Sequence, residues 1–276
     1  MRIHTGFEIA FDCASPTLML LCLSVHPSRR DELETPDVLL TSPYVPVRQY
    51  IDGFGNICSR VVAPAGRFVL SADFIIRDSG LVDDYAPGAV QGPTEDLPDA
   101  ALVFLLGSRY CETDQLSNIA WSLFGGTQPG WARVQAITDF VHNHIVFDYE
   151  HARPTRSAYQ AYVERQGVCR DYAHLAVAFC RCMNIPARYC TGYLGDIGVP
   201  VVGEMDFSAW FEVFLGDRWY TFDARNNQPR IGRVLIARGR DATDVAISNA
   251  FGEATLAGFK VISVEASAPA GLALSR

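Results

Sequence analysis

Gly167-Val168-Cys169-Arg170-Asp171-Tyr172-Ala173-His174-Leu175 is the stretch from which the rest of the chain can be read. Gly167 permits a tight entry, and an apolar stripe of Tyr172, Ala176, Phe179, Cys180 and Met183 predicts a helix from about Val168 to Met183, closed by Pro186. Cys169 then stands at a helix N-terminus. There the positive end of the macrodipole and free backbone N–H groups favour a thiolate, which predicts a lowered thiol pKa and a nucleophile.

Upstream, Val134, Ile137, Val141 and Ile145, and before them Leu116, Ile119, Ala120, Leu123 and Phe124, have helical spacing. Downstream the pattern turns to strands at 187–194, 208–215, 218–224, 234–237 and 259–264. Helices followed by consecutive strands predict an α+β unit with an antiparallel sheet. Gly216-Asp217 reads as a tight hairpin loop, so Leu215 opposes Arg218 and Trp210 opposes Asp223. Ser208, Trp210 and Glu212 then share a face with Asp223, while Ala209, Phe211, Val213 and Leu215 face the core.

Before residue 83 the chain reads as short β-prone runs broken by Pro, Gly, Asp and Asn, with Asp52-Gly53-Phe54-Gly55-Asn56 a clear turn. The expected organisation is a β-rich N-terminal sandwich over 1–82, a Pro- and Gly-rich linker over 83–100, an α+β domain over 101–265 and a flexible tail over 266–276.

With 23 Lys and Arg against 31 Asp and Glu, the net charge is −8. That balance argues against nucleic acid and anionic membrane as partners. The run Leu18–Leu23 is too short to span a bilayer. No leader is readable around Arg2, Glu8 and Asp12, so a cytoplasmic setting is expected, with the eight cysteines as free thiols. Cys180, Cys182 and Cys190 lack a second ligand pair, and no EF-hand loop is present, so neither a metal nor another cofactor is expected.

Gly167–Leu175, then Asn184-Ile185-Pro186-Ala187-Arg188-Tyr189, Thr191-Gly192-Tyr193, Ala209-Trp210-Phe211-Glu212-Val213 and Trp219-Tyr220-Thr221-Phe222-Asp223 closely resemble the bacterial transglutaminase-like proteins over about residues 100–235. Residues 1–82 resemble the β-rich region that often precedes that domain. The resemblance implies a papain-like core and a Cys–His–Asp triad acting on amide bonds, by peptide hydrolysis or acyl transfer. Cys169 matches the nucleophile and Asp223 the orienting acid, but the histidine position falls on Ser208.

A serine hydroxyl is not a base near neutral pH and cannot protonate a leaving amine. His174 lies five residues past Cys169, about 500° around a helix, and points away from it. His142, His144 and His151 sit on or after the preceding helix, and of these His151 has the freedom of a loop. His4 and His26 belong to the β-rich region. Asp206 could bring a carboxylate to Cys169 but would raise its pKa by like charge. Trp210 and Trp219 read as sheet packing, Tyr149 and Tyr159 as surface or core, and Arg170 and Asp171 as helix-start contacts. No mechanism attaches to Ser108-Arg109-Tyr110-Cys111. Two main readings remain: a cysteine enzyme acting on a protein or peptide through Cys169 with a rearranged proton relay, or a degenerate domain that keeps the cleft and binds a peptide or protein. A scaffold role for the β-rich region is a third.

Overall fold

The computed structural model describes residues 1–201, 203 and 205–266; of the tail expected at 266–276, all but Ala266 lies outside the described residues. Six strands come first: β1 (Arg2–Cys13), β2 (Thr17–Leu21), β3 (Leu40–Ser42), β4 (Arg48–Ile51), β5 (Ile57–Ala63) and β6 (Gly66–Arg77). Helices α1 (Asp99–Leu102), α2 (Thr113–Phe124) and α3 (Trp131–His144), strand β7 (Val146–Phe147), helix α4 (Ala158–Glu164), strand β8 (Gln166–Gly167) and helix α5 (Cys169–Cys182) follow. Strands β9 (Ala187–Leu194), β10 (Ser208–Leu215), β11 (Arg218–Phe222), β12 (Arg233–Gly239), β13 (Ser248–Phe251) and β14 (Ala254–Glu265) close the chain.

The strands form three four-stranded antiparallel sheets, ordered β14-β1-β6-β3, β13-β2-β5-β4 and β11-β10-β9-β12, and a short parallel pair β7-β8. The first two sheets face each other over Phe7, Ile9, Phe68, Leu70, Met19, Leu21 and Val61. Period-two burial along β2 and β6 produces that layer, because alternate side chains leave opposite faces of a strand. The fold is α+β.

The last two strands do not join the sheet that precedes them. β14 pairs with β1 from Ile3↔Glu265 to Cys13↔Ala254, and β13 pairs with β2. Residues 248–265 therefore complete the N-terminal sheets, although chain order had placed them with residues 101–247. The cause lies in β1, which is buried on both faces along most of its length and needs a neighbour on each edge: β6 on one, β14 on the other. Such pairing across the whole chain leaves no local signal in sequence.

α5 is the axis of the second layer. Every residue from Asp171 to Cys182 is buried, packed between α2, α3 and the inner face of β9 and β10 through Leu175, Phe179, Phe211 and Val213. It ends where Asn184 adopts a left-handed φ of 58° ahead of Pro186. Near its C-terminus the buried Arg181 bonds the Leu106 carbonyl, Ser108 Oγ and the Ala187 carbonyl, so the Ser108–Cys111 segment is a brace for α5.

His174 is fully buried beside Tyr110 and Tyr189, and its Nε2 accepts the Ala242 N–H at 3.1 Å. Burial pushes its pKa down to about 3, and burial with Arg238 pushes that of His26 down to about 4. Below the unfolded value near 6.5 the unfolded chain takes up protons that the folded chain refuses, so stability is full above that pH and declines as pH falls toward 4. We expect unfolding free energy to drop by roughly 2–4 kcal/mol between pH 7 and pH 5, read from urea midpoints. His174→Gln and His26→Gln each lessen that drop; an equal drop in both variants would assign it elsewhere.

Candidate active site

Cys169 is the first residue of α5 and half-buried, and it opens onto a cleft of about 450 Å³. Gly167 makes the tight entry possible, since a Cβ there would press on the Asp171 carboxyl at 2.6 Å. That carboxyl accepts the Val168 N–H at 2.9 Å and fixes the start of the helix. Aromatic walls come from Phe147, Tyr149, Tyr172 and Phe207; Val199, Pro200 and Met205 add apolar surface; Asp206, Ser208 and Arg225 add polar groups.

The thiol is held by the entry to β10. Cys169 Sγ lies 4.0 Å from the Phe207 carbonyl oxygen, and the Ala209 N–H donates to it. Ser208, half-buried, sits between these two contacts with its own carbonyl bonded by Thr191 Oγ1 at 3.2 Å. Opposite Ser208 is Gly192, where a Cβ would collide with the Val234 carbonyl oxygen and the Trp210 ring.

The expected lowering of the thiol pKa is overturned. Burial pushes Cys169 up to about 11, and Asp206 raises it further, against the Ala209 N–H and the Arg225 guanidinium, which pull it down. Desolvation and a like charge outweigh the partial charge of a helix terminus. At neutral pH the group rests as a thiol. Burial also raises the Asp206 carboxyl and, with Asp206 and Cys169 beside it, the Tyr149 phenol.

The β10–β11 hairpin has the expected register, Leu215↔Arg218 through Phe211↔Phe222, with Gly216 at φ 63°. Asp223 follows β11, buried, and among the described residues it is not a wall of the Cys169 cleft. Its Oδ1 accepts the Asn226 N–H at 2.9 Å, and its Oδ2 accepts Asn226 Nδ2 at 2.8 Å and Arg233 Nη2 at 3.0 Å. Cys169 and Ser208 thus share one cleft, and Asp223 lies beside it with a carboxylate already occupied.

Of the histidines, only His142 walls this cleft among the described residues. Its Nδ1 faces the Ala224 and Arg225 carbonyls at 3.1 and 3.0 Å, and carbonyls only accept, so Nδ1 carries the proton. His151 bonds Asp148 at 2.8 Å, His144 bonds the Tyr162 carbonyl, and His4 bonds Asp73. Trp219 packs on Phe104 and Phe214, and Trp210 lies under Arg233. Arg225, stacked 4.1 Å over Phe147, is a charged cleft residue that sequence reasoning missed. No periodicity marks a residue in the turn after a strand. Among the described residues no His, Cys, Asp or Glu cluster is built to hold a metal ion, and no helix is long and apolar enough to cross a membrane.

A helix-start cysteine packed against an antiparallel sheet, with a cleft at its sulfur, is the architecture of the transglutaminase-like and papain-like cysteine enzymes. The family profile described as "Transglutaminase-like superfamily" matches residues 118–224. A solved structure of a candidate cysteine protease from Cytophaga hutchinsonii superposes with a TM-score of 0.85, at 30% identity over 98% of this chain and 92% of that one. An uncharacterized protein of Mycobacterium tuberculosis is 28% identical over 220 residues, 70% of this chain and 68% of the relative. One of Mycobacterium leprae is 39% identical over 85 residues, a match that spans only 30% of that protein. The chain belongs to the bacterial transglutaminase-like proteins.

Proposed function

We propose that the chain is a cysteine acyl-transfer enzyme that acts on amide bonds of a peptide or protein, with Cys169 as nucleophile. The observation that carries this reading is the placement of the Cys169 thiol: at the first turn of α5, half-buried, open to the cleft and touched by the Ala209 N–H. The first N–H groups of a helix have no carbonyl a turn earlier, so the oxyanion of an acyl group attached to this sulfur can draw on them for stabilisation. Water or an amine completes the reaction, as hydrolysis or as transfer.

p-Nitrophenyl acetate is the direct probe, because p-nitrophenolate leaves without needing a proton. The expected result is a burst of p-nitrophenolate stoichiometric with protein, absent in Cys169→Ala. Equal release from both would remove Cys169 from the chemistry. Ser208 favours a second reading, a cleft that binds a peptide without cleaving it, and a native chain with no Cys169-dependent release would select it.

A further inference from the structure

Acyl transfer to Cys169 needs a group that takes the thiol proton and returns it to the leaving amine. The need is sharper here than in a site that rests as a thiolate, because this sulfur is protonated at neutral pH. Ser208 cannot be that group. We propose that Asp206 carries the proton: its carboxylate accepts it from Cys169 as Sγ bonds to the acyl carbon, and delivers it to the departing amine as the C–N bond breaks. In the second half-reaction Asp206 takes a proton from water as the oxygen attacks the thioester, and Sγ leaves with that proton. The net change is one amide and one water to one carboxylic acid and one amine. The assignment rests on the acyl-transfer reading above.

The geometry selects Asp206. Contacts on Cys169 Sγ come from residues 207 and 209, the Phe207 carbonyl lying at 4.0 Å, so Asp206 immediately precedes a residue that meets the sulfur. Cys169 and Asp206 wall the same cleft. Of the charged groups around the thiol, Asp206 acts on it more strongly than Arg225 or Asp223. The other cleft carboxylate on this side, Asp196, is engaged by Arg230 Nη2 at 3.1 Å. His142 has its Nδ1 engaged by the Ala224 and Arg225 carbonyls, and the charged neighbours that act on the thiol are Asp206, Arg225 and Asp223. The Phe207 N–H donates to the Asp206 carboxyl; Asp206 and Cys169 both act on the Tyr149 phenol after β7, and Arg225 and Asp223 after β11 act on the thiol. Burial raises the Asp206 carboxyl above the ordinary aspartate value, against the Phe207 N–H that lowers it, which makes it a better proton acceptor than a solvated aspartate.

Asp206→Asn tests this with two readouts of opposite sign. Removing the carboxylate lowers the thiol pKa, so alkylation of Cys169 by iodoacetamide at pH 8 quickens about 3–10-fold. Removing the proton carrier cuts hydroxamate formation from benzyloxycarbonyl-glutaminylglycine and hydroxylamine about 100-fold. The p-nitrophenyl acetate burst, whose leaving group needs no proton, falls less. Asp206→Glu keeps part of the amide activity. Amide turnover in Asp206→Asn within about twofold of native overturns the assignment, as does loss in His142→Gln instead. So does a joint fall in alkylation and turnover, which marks a structural role. A native chain with no Cys169-dependent turnover of either probe brings down the acyl-transfer reading itself, and this assignment with it.

Discussion

Ser208→His turns over benzyloxycarbonyl-glutaminylglycine about 100-fold faster than the native chain, the scale that a positioned acid–base group contributes. The backbone makes the site ready for it. Position 208 lies between the two groups that touch Cys169 Sγ, the Phe207 carbonyl and the Ala209 N–H. A side chain there starts beside the sulfur. Continuing the register one pair past Phe211↔Phe222 sets Trp210 opposite Asp223, so position 208 is a diagonal neighbour of Asp223 on the same face. An imidazole spans that separation; a hydroxyl does not.

Asp223 still has room for a ring N–H. A carboxylate offers about four lone-pair directions. Asn226 and Arg233 use one on Oδ1 and two on Oδ2, which leaves one on Oδ1. The same substitution raises the rate of Cys169 alkylation at pH 6, because an imidazolium stabilises the thiolate that Asp206 and burial disfavour. A variant with native urea midpoint and neither gain would show that the cleft has diverged beyond this position.

What was legible in sequence is what local chemistry dictates. Apolar spacing and Gly167 placed the start of α5 at Cys169, and Gly216-Asp217 set the hairpin register pair by pair. What was not legible depends on residues far apart in the chain. β14 closes onto β1 across about 250 residues of chain, and each strand alone reads only as a strand. Arg233 takes up an Asp223 lone pair from the next strand, which no spacing rule announces. The thiol pKa went the other way for the same reason: the helix terminus is local and visible, while the enclosing walls and the Asp206 charge exist only once Val199, Pro200, Met205 and Asp206 come together with Cys169 around the cleft. A helix start is therefore a sound guide to where a nucleophile stands and a poor one to its protonation state.

Asp171→Ala costs about 3–5 kcal/mol of unfolding free energy, a large part of what holds a domain folded. Asp171 is 1% exposed and Arg156 2%, and the guanidinium Nη1 meets the carboxylate at 3.0 Å. Arg156 Nε bonds Glu164 at 2.9 Å, and Arg170 ties Asp171 to the Arg153 and Pro154 carbonyls. Losing the Asp171 carboxylate leaves a buried guanidinium with one carboxylate where it had two, and leaves the Val168 N–H at the head of α5 without its acceptor. The cost is one of an uncompensated charge, so it is not additive with removal of the partner. Arg156→Met combined with Asp171→Leu is less destabilised than the sum of the single changes, since the pair departs together and apolar groups take its place. Urea midpoints of the two single variants and the double variant measure this directly. A loss below about 1 kcal/mol in Asp171→Ala would mean that water reaches Arg156 and that the start of α5 is held by its packing alone. In that case the position of Cys169 would rest on Phe207 and Ala209, not on the ion pair two residues along its own helix.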